Sequence, residues 1–247
     1  MKDLCRLQKQ LRANWHKVDW LLQELTGTDA DAVRTETKVG RDLADAMEDE
    51  HSIDKEPSVV SFLRDMGKHL TSHVKHNEYQ FTFQPIRSRS INAFALPGGF
   101  IFVTRGLMEF CEWSQDEIAF VMAHEIGHVV RHHAKDAITN NLLVDAVSFT
   151  SPAKGMLQAP LRLLFKKFVH SEYSKECEFA ADDFAVRLTH CARFQSNGPF
   201  AFFERLTNET DLWKTEERFK LFLSHPPTNE RIANIKRTHS ELEHKAK

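Results

Sequence analysis

The stretch Ser114-Gln115-Asp116-Glu117-Ile118-Ala119-Phe120-Val121-Met122-Ala123-His124-Glu125-Ile126-Gly127-His128 decides how the rest of the chain is read. Ser114, followed three residues later by Glu117, has the form of a capping box: the hydroxyl takes an early amide N–H and the carboxylate reaches back. A helix is therefore predicted from about Gln115 to about Lys135, with Ile118, Val121, Met122, Ile126 and Val129 at helical spacing. His124 and His128 lie four residues apart, so both imidazoles leave one face, about 5.4 Å apart along the axis. Two donors so placed suit one zinc ion. Glu125, turned about 100° from His124, is positioned to take a proton from a metal-activated water rather than to ligate.

A catalytic zinc takes three protein ligands and keeps one position open, so another element must supply the third donor. The best candidate is Glu178, in Glu178-Phe179-Ala180-Ala181-Asp182 on a helix predicted over residues 172–191. Glu178 and Asp182 share a face, and Ala180, Ala181 and Ala185 permit close helix packing. One carboxylate would ligate while Asp182 accepts the outer ring N–H of a ligand histidine, His124. The competing reading is a solvated acidic helix face. His132 lies about 12 Å from His124 along the axis, so it and His133 are read as structural or surface histidines. Asp29-Ala30-Asp31 begins like a calcium loop, but Val33 at the fifth position and the missing glycine exclude one. No serine-hydrolase elbow, phosphate-binding loop or dinucleotide fingerprint occurs.

Outward from this centre, residues 91–104 read as two short strands joined at Leu96-Pro97-Gly98-Gly99, and residues 79–86 as a third. The rest is helical in pattern. Leu4, Leu7, Leu11, Trp15, Val18, Leu22 and Leu25 make an amphipathic stripe, followed by a charged helical segment to Glu50. Pro57 opens another helix, Gly198-Pro199 a further one, and Pro226-Pro227 the last, running into a Lys-rich tail expected to fray from about His239. Leu157, Leu161, Leu164, Phe165 and Phe168, with basic residues between them, cover either a core or a membrane surface.

Composition narrows the function classes. Among 247 residues, 33 Lys and Arg balance 35 Asp and Glu to a net charge of −2, which offers no surplus to a nucleic-acid backbone. Charges at Lys2, Asp3 and Arg6 leave no room for a secretory signal, and no apolar run approaches the roughly 18 residues of a spanning helix. Cytoplasm is the expected compartment. Cys5, Cys111, Cys177 and Cys191 lack metal or redox spacing and are read as reduced thiols.

Four ordered motifs then carry a resemblance. They are Asn92-Ala93-Phe94-Ala95-Leu96-Pro97-Gly98-Gly99-Phe100-Ile101-Phe102-Val103-Thr104-Arg105-Gly106-Leu107, the His124 to His128 motif, Glu178 with Asp182, and Ser224-His225-Pro226-Pro227-Thr228-Asn229-Glu230-Arg231. Together they resemble the gluzincin zinc peptidases that include HtpX, Oma-type and CaaX prenyl proteases, over about residues 57–237. The resemblance implies that Glu178 is the third zinc ligand and that His225 and Arg231 lie at the active site, where either would steady the oxyanion. Pro226 keeps His225 out of helical conformation, just ahead of a helix. The resemblance also implies a strand beside the cleft. Asn92, Ala93 and Phe94 would there pair with an extended substrate, or else merely cover the active helix. The spanning segments of the membrane-bound relatives are not found in this chain, so a prenylated or membrane substrate is not carried over.

The expectation is an α+β, mostly helical zincin-like peptidase domain over residues 57–247, with a small sheet beside the active-site helix. Residues 1–56 form an N-terminal helical extension. One zinc per chain would acidify its water, and Glu125 would take the proton and later deliver it to the leaving amine of a peptide or protein substrate. The alternatives are an exopeptidase, a non-catalytic zinc module, or a latent enzyme with the N-terminal helix over its cleft.

Overall fold

The computed structural model describes residues 29–75, 78–133, 173–208, 225–226 and 228–245. The stripe expected over residues 3–25 and the basic apolar stretch over residues 154–170 lie outside them. In chain order the elements are α1 (Asp29–Glu50), α2 (Pro57–Thr71), β1 (Thr82–Ile86), β2 (Ala93–Leu96), β3 (Phe100–Thr104) and α3 (Arg105–Phe110). Then come α4 (Gln115–Val130), α5 (Lys175–Cys191), α6 (Gly198–Asn208) and α7 (Asn229–Lys245). The architecture is α+β and mostly helical. No helix among the described residues is long and apolar enough to cross a membrane.

The sheet has the order β1-β3-β2, with β3 parallel to β1 and antiparallel to β2. Phe100, Ile101, Phe102 and Val103 are apolar without alternation because β3 is the central strand and is buried along its whole length. Pro85 cannot donate to a ladder, and it sits in β1 at the sheet edge. The β2–β3 turn needs Gly98 and Gly99, whose φ angles are 78° and 93°. Helix α1 crosses this turn closely: a Cβ on Gly40 would meet the Pro97 carbonyl oxygen, and one on Gly98 would meet Thr37 Cα.

Helix α4 runs through the core with residues 117–129 all buried, hence its apolar residues on every side. Ser114 caps it by accepting the Glu117 N–H at 3.4 Å, but the Glu117 carboxylate does not reach back. Arg205 on α6 takes it instead, with Nε 3.0 Å from Oε2 and Nη2 3.2 Å from Oε1. The helix also stops at Val130 rather than near Lys135, because His132 turns into the left-handed region at φ 58°. Gly127 lets α5 approach closely: a Cβ there would lie 3.3 Å from both the Cα and the carbonyl oxygen of Ala181. At the C-terminal end α7 begins at Asn229, not at the proline pair, and holds to Lys245 instead of fraying from His239. Contacts from Thr238 to Asp183 and from Arg187 to Glu241 tie it to α5.

Asp54, between α1 and α2, fixes the sheet edge. Its buried carboxylate accepts from Arg105 Nε at 2.6 Å, and its N–H donates to the Pro85 carbonyl at 2.8 Å. The Arg105 hydrogen bond lowers the Asp54 carboxyl pKa below its usual value, outweighing burial. Arg105→Ala would leave that carboxylate with only Arg87 at 3.4 Å and the Glu56 N–H at 3.1 Å, so a loss of about 1–2 kcal/mol is expected in denaturant unfolding at pH 7. Because the folded pKa is the lowered one, the contribution is complete above the ordinary Asp value of ~4 and disappears as pH falls through the folded value. The gap between wild type and variant should therefore close in acid; a gap that widens there contradicts the pairing.

Candidate metal centre

The active-site helix α4 and the helix α5 deliver their polar residues to one buried point. His124 Nε2 and His128 Nε2 face each other at 3.0 Å, as side chains one turn apart on one face must. From α5, Glu178 enters between them, with its carboxylate oxygens 3.5 Å from His124 Nε2 and 3.3 Å from His128 Nε2. Ser174 caps α5 by accepting the Cys177 N–H, which sets Glu178 in the first turn. His225 completes the cluster. Its Nδ1 lies 2.8 Å from Glu178 Oε1 and 3.3 Å from His124 Nε2. The donor atoms of His124, His128, Glu178 and His225 all lie within 4.8 Å of one another, and all four residues are buried.

Around this cluster sits a shell of charge. Asp182 Oδ1 is 3.0 Å from His124 Nδ1, the nitrogen turned away from the cluster. Arg231 grips Asp182 with two parallel contacts, Nε to Oδ2 at 2.8 Å and Nη2 to Oδ1 at 2.7 Å. Its third nitrogen reaches Glu178 Oε2 at 2.8 Å and the His225 carbonyl at 3.1 Å. The guanidinium expected beside a reacting carbonyl is thus held by both carboxylates, although Arg231 also lines the cavity beside His124 and Glu125. Burial opposes charge on Glu178, but His225 and His124 beside it hold its carboxyl well below the usual range. Burial likewise opposes charge on Asp182, and Arg231 overcomes it. For His124, burial favours the neutral ring, yet Glu178 and Asp182 outweigh it and lift the pKa to about 9.

The donor geometry tests the fit to a metal: the ligand atoms of four buried residues, from three separate segments of the chain, face one another within 4.8 Å. Two imidazole nitrogens and a carboxylate converging in a buried site are the donor set of zinc. The residues fit.

Glu125 stands next to this set without joining it. Its side chain is buried, Oε1 accepts no hydrogen bond among the described residues, and His225 Nε2 lies 3.7 Å from it. Burial raises its carboxyl above the usual value, partly offset by His225, His124 and the Ala95 main chain. Ala95 belongs to β2, whose outer edge is unpaired among the described residues. On that strand Ala93 is buried and Phe94 is half-buried, stacked on Phe102. Asn92, just before it, is buried: its N–H goes to Thr104 Oγ1 at 3.0 Å, and its Oδ1 has no partner among the described residues. Beside Glu125 and His124 opens an apolar cavity walled by Phe120, Val121, Phe202, Phe203 and Leu206.

One residue of the site, Tyr173, escapes the sequence reading, and a second, His133, is read there only as structural or surface. Tyr173 lies just before the α5 cap, and its ring packs on His128 at 4.1 Å between centroids and on His225 at 5.5 Å. Only its place one residue before the Ser174 cap and five before Glu178 marks it in the sequence. His133 is buried with Nδ1 3.1 Å from His128 Nδ1, brought there by the turn that ends α4.

Known proteins resemble this chain over much of its length. Residues 60–239 match peptidase family M48. Metalloprotease LoiP of Escherichia coli is 28% identical over 196 residues, covering 74% of this chain and 75% of its own length. A putative beta-barrel assembly-enhancing protease of Vibrio cholerae is 27% identical over 190 residues, 72% of this chain and 39% of that protein. Mitochondrial metalloendopeptidase OMA1 of Schizosaccharomyces pombe is 29% identical over 161 residues, 64% of this chain and 47% of that protein. The chain thus spans less than half the length of two of these relatives. With the match covering most of its residues and a zinc donor set at the centre of the matched region, the chain belongs to peptidase family M48 and is a zinc metallopeptidase.

Proposed function

We propose that the chain is an endopeptidase whose zinc is held by His124, His128 and Glu178, with Glu125 as the group that moves the proton. The observation that carries this is the convergence of those three donors beside a buried carboxylate that ligates nothing. Bound zinc supplies an acidified water and polarises the peptide carbonyl. Glu125, with a carboxyl pKa raised by burial, accepts a proton at Oε1 and returns it to the leaving amine. His225, whose Nε2 is turned toward Glu125, is the candidate donor to the oxyanion. Asp182 orients the His124 ring, and Arg231 orients Asp182 and Glu178. A substrate strand laid on the free edge of β2, at Asn92, Ala93 and Phe94, would run beside Glu125, and the apolar cavity between α4 and α6, about 20 Å³ in this structure, would have to widen to take one of its side chains.

The experiment is a digest of a peptide library by the zinc-loaded chain, read by mass spectrometry. Internal cleavages next to an apolar residue are expected, stopped by a chelator and restored by zinc. Trimming confined to peptide ends would make it an exopeptidase. A second reading has its own observation: His225 is near enough to serve as a fourth donor, which would close the site as in structural zinc centres. A zinc-replete chain that cleaves nothing would favour that closed, non-catalytic or latent form.

A further inference from the structure

Helix α1 precedes the residues matched by the family, yet it is anchored to the end of the helix that carries the histidines. Glu36 on α1 is buried, 2% exposed. Its Oε2 accepts the Tyr79 hydroxyl at 2.6 Å, and its Oε1 lies 3.1 Å from His132 Nδ1. The same His132 nitrogen is 2.9 Å from the Tyr79 oxygen, so the three side chains close a triangle. His132 is the residue in the left-handed region, a conformation that a non-glycine side chain keeps only where its surroundings hold it. Were α4 to continue, the residue five beyond His128 would point well away from it. Because the chain turns at His132, His133 instead comes back onto the outer nitrogen of His128.

We propose that Glu36, acting with Tyr79 and His132, is a positioning residue for the metal centre: the triangle holds the turn after α4, and the turn seats His133 against His128. This fixes the ring that offers Nε2 to the metal, and makes α1 a working part of the peptidase. The inference rests on the zinc reading of the cluster.

The test measures zinc affinity by chelator competition, and the thermal midpoint of the metal-free protein, in the whole 247-residue chain. The variants are Glu36→Ala, Glu36→Gln, Tyr79→Phe and, as a control on the same helix outside the triangle, Leu43→Ala; Leu43 is buried at 2% exposure. Glu36→Ala and Tyr79→Phe should weaken zinc binding about tenfold, the low end for partners behind a ligand histidine. Glu36→Gln should lose less, because its amide oxygen still accepts the Tyr79 hydroxyl. Leu43→Ala should lower the thermal midpoint through its cavity while zinc affinity stays unchanged. Zinc affinity unchanged in both Glu36→Ala and Tyr79→Phe overturns the proposal, as does a Leu43→Ala loss equal to that of Glu36→Ala at the same midpoint. A wild type that holds no zinc sinks the zinc reading itself, whereas a zinc-replete wild type with unaffected variants sinks only the role of the triangle.

Discussion

Glu125→Gln is expected to retain its zinc and to lose hydrolysis, with kcat lower by about 10²–10⁴-fold, the range for removing a general base. The substitution keeps the shape of a buried side chain and replaces none of the four clustered donors, so neither packing nor metal loading should change. What it removes is the capacity to take a proton. The wild-type carboxyl is tuned for that task by burial, and no hydrogen bond among the described residues occupies Oε1. An amide in the same seat has no such capacity. Steady-state kinetics beside elemental analysis decide the matter: turnover within about tenfold of wild type, outside the general-base range, would remove Glu125 from the proposed role.

Glu178→Ala should act on the metal itself. Among the described residues, Glu178 is the one carboxylate in contact with both helix-α4 imidazoles, with His225 and with Arg231. Without it a dication would face imidazoles alone beside a buried guanidinium, with the Glu125 and Asp182 carboxylates near by but neither among the clustered donors. Zinc affinity should therefore fall by more than ~100-fold, beyond the 10–100-fold that loss of an outer partner costs. Chelator competition measures it. A variant that holds zinc as tightly as wild type would mean that another group is the third ligand.

Much of this centre is written in local sequence. Ser114 and the spacing from Ile118 to Val129 place α4, four-residue spacing brings His124 and His128 together, and the same spacing aligns Glu178 with Asp182. Gly127 and Ala181 are small, which is what lets the two helices meet. The Pro97-Gly98-Gly99 turn likewise announces the hairpin at the cleft. What sequence did not disclose depends on partners far along the chain. Glu117 has the form of a cap but meets Arg205, 88 residues on. Arg231 looked like a catalytic cation, yet Asp182 and Glu178 occupy its guanidinium. His133 is five residues from His128, a spacing with no meaning in a helix, and it matters only because the chain turns at His132. Tyr173 packs on His128 only once α5 has docked against α4.

The most direct test is anomalous diffraction at the zinc edge from crystals of the zinc-loaded chain. One peak is expected, about 2.0–2.2 Å from a nitrogen of His124, a nitrogen of His128 and the Glu178 carboxylate. A peak elsewhere, or one at the two histidines with Glu178 turned away from it, would contradict the shared grip of α4 and α5 on a single ion.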